Sequence, residues 1–131
     1  MNIFFDVDYT LVTWDGRLRP GVHEIFQRLC EDGHLIYLWS GVGPRWETEL
    51  VTGCFSKPLY DFHHRIVELG VTITPDYVVD DYESIVQAFP GTQIAGPPVR
   101  LNADREMWRV YDEIQGYVAA RAADAQNRPP D

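Results

Sequence analysis

Apolar residues recur along this chain with two different spacings, and the two spacings alternate. Short unbroken apolar runs predict buried β-strands at Asn2 to Phe5, Leu35 to Trp39 and Tyr77 to Val79. Helices are predicted between and after these strands, at Pro20 to Gly33, Pro44 to Leu50, Lys57 to Leu69, Ile85 to Phe89 and Asp104 to Ala123. Because strand and helix signals alternate, the pattern predicts parallel βαβ units and an α/β fold with a mainly parallel sheet.

The same patterns predict which helix faces are buried. In the first helix, the predicted inward-facing residues are Val22, Ile25, Phe26 and Leu29. In the helix after Lys57 they are Leu59, Phe62, Ile66 and Leu69. In the last helix they are Met107, Trp108, Tyr111, Ile114 and Val118. Two further elements are a hairpin over Val12 to Leu18 and a last edge strand over Gln93 to Ala95. In the hairpin, Asp15-Gly16 favours a type I′ turn.

Length and composition predict one globular domain. The chain has 131 residues, of which 45% are hydrophobic, and this is enough to bury one core. We assign residues 1–125 to this domain and expect residues 126–131 to form a flexible tail.

Charge and cysteine content narrow the classes of partner. A net charge of -9 argues against nucleic acid and anionic membranes as partners, because both carry negative charge. The two cysteines, Cys30 and Cys54, suggest neither a disulfide framework nor a cysteine metal site. The N-terminus lacks the basic region of a signal peptide, and no apolar run approaches membrane-spanning length. A reducing cytoplasm fits best.

Polar residues cluster where the predicted strands and helices end. Asp6, Asp8 and Thr10 follow the first strand, Ser40-Gly41 follows the second, Lys57 opens a predicted helix, and Asp80-Asp81 follows the third strand. Because the carboxyl ends of parallel strands share one edge of the sheet, these residues are expected to meet there. Two carboxylates at positions 6 and 8 repel each other, so a cation or a catalytic use is expected to offset them.

With four such motifs in this order, the chain resembles the haloacid dehalogenase-like superfamily of aspartate-nucleophile phosphohydrolases. The motifs are Asp6-Val7-Asp8-Tyr9-Thr10-Leu11, then Ser40-Gly41, then Lys57-Pro58, then Val78-Val79-Asp80-Asp81. The resemblance implies a Rossmann-like three-layer fold. Only 29 residues separate Thr10 from Ser40 and 16 separate Ser40 from Lys57, so neither interval can hold the cap domain that often covers such sites.

The resemblance implies a magnesium-dependent phosphatase that works through an aspartyl-phosphate. Asp6 would be the nucleophile, and Asp8 would be the general acid and base, with its backbone carbonyl on the metal. Thr10, Ser40, Gly41 and Lys57 would bind the phosphate, with Ser40 and Lys57 also contributing to catalysis. Mg²⁺ would be held by Asp6, Asp8 and Asp81, while Asp80 would be either another ligand or a partner of one.

Several alternatives stay open at this point. The chain could be a non-catalytic binding or scaffold protein of the same fold, or a receiver-like phosphoacceptor module. Substrates expected for an open site are a phosphoprotein or a small phosphorylated metabolite, and another subunit could complete the pocket. Tyr9 stands where many members of the superfamily have glycine, and this affects specificity above all. Trp14, beside the predicted hairpin turn, could stack on a leaving group or pack against the hairpin.

Overall fold

A computed structural model describes residues 1–43, 48–98 and 100–127 of the chain. Five parallel strands form one sheet in the order β3-β2-β1-β4-β5. The strands are β1 (Asn2–Asp6), β2 (Leu35–Ser40), β3 (Gly53–Ser56), β4 (Tyr77–Asp80) and β5 (Gly91–Gln93). The prediction of an α/β fold with a parallel sheet is therefore confirmed, and the strand order is consistent with a Rossmann-like fold.

Four α-helices and one short 3₁₀ helix accompany the sheet in the described residues. They are α1 (Val22–Glu31), α2 (Phe62–Glu68), α3 (Glu83–Ala88), the 3₁₀ helix Leu101–Ala103 and α4 (Glu106–Gln126). Gly21 precedes α1 with a φ of 85°, and a Cβ there would come within 2.6 Å of the Trp108 ring of α4. Glycine at this position therefore serves both the left-handed backbone and the close packing of α1 on α4.

Alternate strand residues point to opposite faces of the sheet and build two apolar cores. Ile3 and Phe5 of β1 face the core that α1 and α4 cover, whereas Phe4 faces the core that includes residues of α2 and α3. The four apolar residues predicted for α1 are all buried. Since helices pack on both faces, the fold has three layers.

Two sequence predictions about the segment around Lys57 are wrong. Lys57 does not open a helix: it directly follows the edge strand β3, which the sequence pattern did not predict, and α2 begins only at Phe62. Leu59 consequently lies outside the helix and is exposed. Strand β3 is short and begins with Gly53, so its apolar signal is weak, and pairing with β2 supplies the order that the local sequence lacks.

Other elements differ from prediction in their bounds. The edge strand β5 lies two residues earlier than predicted, and α4 covers Glu106–Gln126. Residues 44–47 of the helix predicted at Pro44 to Leu50 lie outside the described residues, and Leu50 lies in a turn. The hairpin forms, with Val12 bridged to Leu18 in antiparallel fashion. Its turn is not type I′, because Gly16 has a φ of 84° whereas Asp15 does not have positive φ.

A buried ion pair fixes the segment after β1 to the start of α4. The fully buried guanidinium of Arg19 donates from Nε to Asp104 Oδ2 at 2.7 Å and from Nη2 to Asp104 Oδ1 at 3.2 Å. Its Nη1 donates to the Thr10 carbonyl at 3.0 Å, and Nη2 donates to the Ala95 carbonyl at 2.6 Å. Four hydrogen bonds to three separate segments satisfy this charge inside the protein.

Two remaining observations concern the cysteines and the membrane. Cys30 and Cys54 are both free thiols. Among the described residues, no helix combines the length and apolar character needed to cross a membrane.

Candidate active site

The carboxyl end of β1 lies at the point where the chain changes direction across the sheet. The chain proceeds from β1 to β2 and β3 on one side, then returns to β4 and β5 on the other side. In open parallel sheets, the crevice outside such a switch point is the usual place for a ligand. Asp6 is the last residue of β1, and Asp80 is the last residue of the neighbouring β4.

A tight loop after β1 carries the first motif. The Val7 carbonyl accepts hydrogen bonds from the amides of Leu11 at 2.9 Å and Val12 at 3.2 Å, and the Tyr9 amide donates to the Val12 carbonyl at 3.0 Å. Tyr9 has a φ of 62°, a left-handed conformation that costs a residue with a side chain about 1–2 kcal/mol. Such local strain is concentrated at functional sites, and here it holds the half-exposed Tyr9 ring at the cavity.

Asp6 is held by two hydrogen bonds on opposite oxygens. Its Oδ2 accepts from the Thr10 hydroxyl at 3.1 Å, and its Oδ1 accepts from the Lys57 ammonium at 3.0 Å. Thr10 is completely buried and does not line the cavity. The threonine that the sequence suggested as a phosphate ligand is therefore placed behind Asp6, where it orients the carboxylate.

Lys57 reaches this site because β3 lies beside β2. Ser56 pairs with Ser40 at the ends of these strands, and the Lys57 amide donates to the Ser40 carbonyl at 2.9 Å. From there the Lys57 side chain contacts Asp6 on β1 and Asp80 Oδ2 on β4, the latter at 3.1 Å. One ammonium group thus links the ends of β1 and β4 to the residue that follows β3.

The two aspartates at the end of β4 occupy different positions. Asp80 is fully buried, and both of its oxygens are engaged, Oδ2 by Lys57 and Oδ1 by the Tyr82 amide at 2.9 Å. Asp81 is partly exposed and lines the cavity. One carboxylate oxygen each from Asp6, Asp80 and Asp81 lies within 4.8 Å of the others, which makes this trio the candidate cation site.

Ser40 and Asp8 are neighbours in the lining of the cavity. The Ser40 hydroxyl lies 3.4 Å from Asp8 Oδ2 and accepts a hydrogen bond from the Val42 amide at 3.3 Å. Gly41 follows Ser40 on the cavity wall, and a Cβ there would come within 3.0 Å of a methyl group of Leu59. Glycine therefore lets Leu59 close this wall.

The cavity has a volume of about 430 Å³, within the range of about 300–1,000 Å³ common for small-molecule sites. Six residues that the sequence assigned to the site line it: Asp6, Asp8, Ser40, Gly41, Lys57 and Asp81. The sequence pattern did not indicate that the exposed apolar residues Val42, Leu59 and Tyr82 also line this cavity. Isolated apolar residues in loops carry no periodic signal, and Leu59 was assigned to a helix face.

Burial raises the pKa of both buried carboxyl groups. The pKa of Asp6 is raised from 3.8 to about 7, first by burial and then by the charge of Asp80, while Lys57 offsets part of the rise. Burial also raises the pKa of Asp80 to about 6, again against the effect of Lys57. Burial lowers the pKa of Lys57, but Asp6 and Asp80 together outweigh it and raise that pKa. One lysine therefore does not balance the buried negative charge.

These shifts predict how stability depends on pH in the presence of a chelator. The folded protein binds more protons than the unfolded chain between about pH 4 and about pH 7, because the pKa values of Asp6 and Asp80 lie above 3.8. The contribution of these two carboxyl groups to the free energy of unfolding is complete below about pH 4 and is lost as the pH rises through about 7. Urea unfolding across this pH range should show that the free energy of unfolding depends less on pH in Asp6→Asn than in wild type.

The difference between the two proteins is the informative quantity in that experiment. Burial lowers the pKa of His34, so this residue makes the protein more stable as the pH rises. That effect is the same in wild type and variant. Parallel curves for the two proteins would contradict the assignment of the pH dependence to Asp6.

Fold and site together define an α/β protein with a five-stranded parallel sheet and an acidic, lysine-containing cavity at its switch point. No protein-family model, no curated protein and no solved structure matches the chain. The resemblance to the haloacid dehalogenase-like superfamily therefore rests on the four motifs, and what it implies about activity is a proposal.

Proposed function

We propose that this protein is a capless, haloacid dehalogenase-like phosphatase that hydrolyses phosphomonoesters through an aspartyl-phosphate on Asp6, with Mg²⁺ as cofactor. One observation carries the proposal: the Lys57 ammonium contacts both Asp6 and Asp80, so that the ends of β1 and β4 and the residue after β3 meet beside one cavity. A structural ion pair would not need to open onto a cavity that also contains Asp8, Ser40 and Asp81.

In the first step, an Asp6 carboxylate oxygen attacks the phosphorus atom. A bond forms between this oxygen and phosphorus, and the bond from phosphorus to the leaving oxygen breaks. Thr10 and Lys57 hold the Asp6 carboxylate in place, and Lys57 also offsets negative charge on the transferred group. Asp8, which lines the cavity, protonates the leaving oxygen.

In the second step, water hydrolyses the aspartyl-phosphate. Asp8, now ionised, accepts a proton from the water as the water oxygen attacks phosphorus, and the bond from phosphorus to Asp6 breaks. Inorganic phosphate leaves, and both aspartates return to their starting states. The Ser40 hydroxyl, 3.4 Å from Asp8 Oδ2, is positioned to orient Asp8 or a phosphate oxygen.

The donor set fits a divalent cation that prefers oxygen ligands. Asp6, Asp80 and Asp81 bring carboxylate oxygens within 4.8 Å of one another. Asp81 is our choice for the direct ligand besides Asp6, because it lines the cavity as Asp6 does, whereas Asp80 is fully buried and does not line the cavity. The resemblance adds the Asp8 carbonyl to this set. When bound, Mg²⁺ would neutralise charge on the phosphate and on Asp6.

The competing classes differ in what they require. A receiver-like module is expected to have the flavodoxin-like strand order 2-1-3-4-5, whereas this sheet has the order 3-2-1-4-5. A non-catalytic binding protein would need the same cation site but would give no turnover. We therefore retain the phosphatase proposal. Its substrate would be a phosphoprotein or a small phosphorylated molecule, and a second subunit would be able to complete the cavity.

A turnover assay combined with intact mass measurement tests the proposal. Purified protein is given a panel of chromogenic and natural phosphomonoesters with Mg²⁺ or with a chelator. We expect turnover that the chelator abolishes and, on rapid acid quenching, a phosphorylated peptide that contains Asp6. Metal binding without turnover across the panel would favour the non-catalytic alternative, and a stable phosphoprotein without turnover would favour the phosphoacceptor.

A further inference from the structure

A second cavity lies next to the candidate active site and shares Tyr9 with it. This cavity, which we call the hairpin cleft, has a volume of about 390 Å³. Its lining residues are Tyr9, Thr13, Trp14, Asp15, Arg17, Pro97 and Pro98. Because Tyr9 lines both cavities, the two cavities adjoin each other at this residue.

Trp14 supplies most of the exposed aromatic surface in the hairpin cleft. It is 80% exposed, the most exposed of the tryptophans that the structure describes. The turn does not depend on its ring: the Gly16 amide donates to the Thr13 carbonyl at 3.0 Å, and the Thr13 amide donates to the Arg17 carbonyl at 2.9 Å. An exposed tryptophan that its own hairpin does not need for folding indicates a binding surface.

Pro97 and Pro98 also line the cleft, and they follow a firmly held segment. The Ala95 carbonyl accepts from Arg19 at 2.6 Å, and the Ala95 amide donates to Glu106 Oε2 at 3.1 Å. Two proline rings and an indole give the cleft apolar surface, and the face of an indole suits stacking by a flat ring. Thr13, Asp15 and Arg17 at the same cleft add polar groups that can meet the edge of such a ring.

We propose that the hairpin cleft binds the base of a nucleoside monophosphate whose phosphate lies in the active-site cavity. This proposal rests on the proposed phosphatase function and names its substrate class. A ring attached directly to the phosphate oxygen lies beside the phosphate. A base joined to its phosphate by a sugar lies further from it, as binding in a second, adjoining cavity requires. The net charge of -9 opposes a polynucleotide more than a mononucleotide.

A phosphopeptide is the main competing occupant, and the lining of the cleft disfavours it. Peptides that bind in extended form need a groove with main-chain partners along their length. Two of the residues that line the hairpin cleft are prolines, and proline lacks the amide that such pairing would use.

Binding to the Asp6→Asn protein tests the proposal without turnover. Calorimetric titrations with Mg²⁺ compare AMP, ribose 5-phosphate, adenosine and a phosphoserine-proline peptide. We expect AMP to bind about 5- to 150-fold more tightly than ribose 5-phosphate, which is the range that base stacking on one aromatic residue supplies. Trp14→Ala should remove most of this advantage, Trp14→Phe should keep part of it, and the affinity for ribose 5-phosphate should stay unchanged in both.

Val67→Ala is the matched control, because Val67 is an exposed apolar residue on α2 that lines neither cavity. It should leave all affinities unchanged, and Trp14→Ala should leave the melting temperature unchanged. Equal affinity for AMP and ribose 5-phosphate would overturn the proposal, as would Trp14-dependent binding of the phosphopeptide without binding of AMP. If adenosine bound as tightly as AMP and its binding depended on Trp14, the result would support base binding in the cleft and contradict the phosphatase function.

Discussion

Replacing Asp6 by asparagine is expected to lower phosphatase turnover by roughly 10³-fold or more, because the amide cannot act as the attacking oxyanion. The same change is expected to raise the stability of the metal-free protein at pH 8. Burial and the neighbouring Asp80 raise the Asp6 pKa to about 7, so the folded state of wild type holds an unfavourable charge at that pH. Asparagine removes the charge, and its amide oxygen can still accept a hydrogen bond from Lys57 while its amide nitrogen donates to the Thr10 hydroxyl oxygen.

Two measurements separate this expectation from a general loss of structure. Initial rates with a chromogenic phosphomonoester and Mg²⁺ give the turnover, and thermal unfolding with a chelator gives the stability. The matched control is Asp112→Asn, which removes an exposed carboxylate of α4 and should change neither quantity appreciably. Wild-type turnover in the Asp6→Asn protein would contradict the assignment of Asp6 as nucleophile, and a lower melting temperature would contradict the unfavourable charge.

Loss of the Arg19 guanidinium is expected to have the largest effect on stability. Arg19→Met should lower the free energy of unfolding by about 3–5 kcal/mol, because it leaves the buried carboxylate of Asp104 without its partner. The substitution also removes the donors to the Thr10 and Ala95 carbonyls, which tie the active-site loop to the segment before α4. Urea unfolding monitored by far-ultraviolet circular dichroism provides the measurement.

Arg17→Met is the matched control for this prediction. Arg17 lies two residues away and pairs with Asp15, but its side chain is half exposed, so solvent screens the pair and little change is expected. The double variant Arg19→Met/Asp104→Leu should recover much of the lost stability, since it removes the uncompensated charge along with the pair. Equal effects of Arg17→Met and Arg19→Met would contradict the role assigned to burial.

Predictions from the sequence succeeded where a local pattern carried the information. The unbroken apolar run at residues 2–5 predicted β1, and the spacing of Val22, Ile25, Phe26 and Leu29 predicted the buried face of α1. The pattern failed at β3, which is only four residues long and contains a glycine. An edge strand of this length depends on its neighbour for order, and such a long-range pairing leaves no periodic signal in the chain.

The position of Lys57 shows that local sequence patterns are limited in the same way at the candidate site. The sequence indicated the lysine as a site residue but assigned it to the start of a helix, whereas it follows β3 and spans from there to Asp6 and Asp80. The motif order predicted that these groups meet, because parallel strands share one edge for their carboxyl ends. The distances among them depend on the strand order, which no local pattern specifies.

The sequence by itself determined the alternation of strands and helices, the inward face of α1 and the set of polar residues at the strand ends. The tertiary structure alone decided that Thr10 lies behind Asp6, that Asp80 is buried against Lys57 while Asp81 faces the cavity, and that Tyr9 lines two cavities. The physical reason is that periodicity reports burial on one element at a time. Hydrogen-bond partners, pKa shifts and cavities arise from side chains that distant elements bring together.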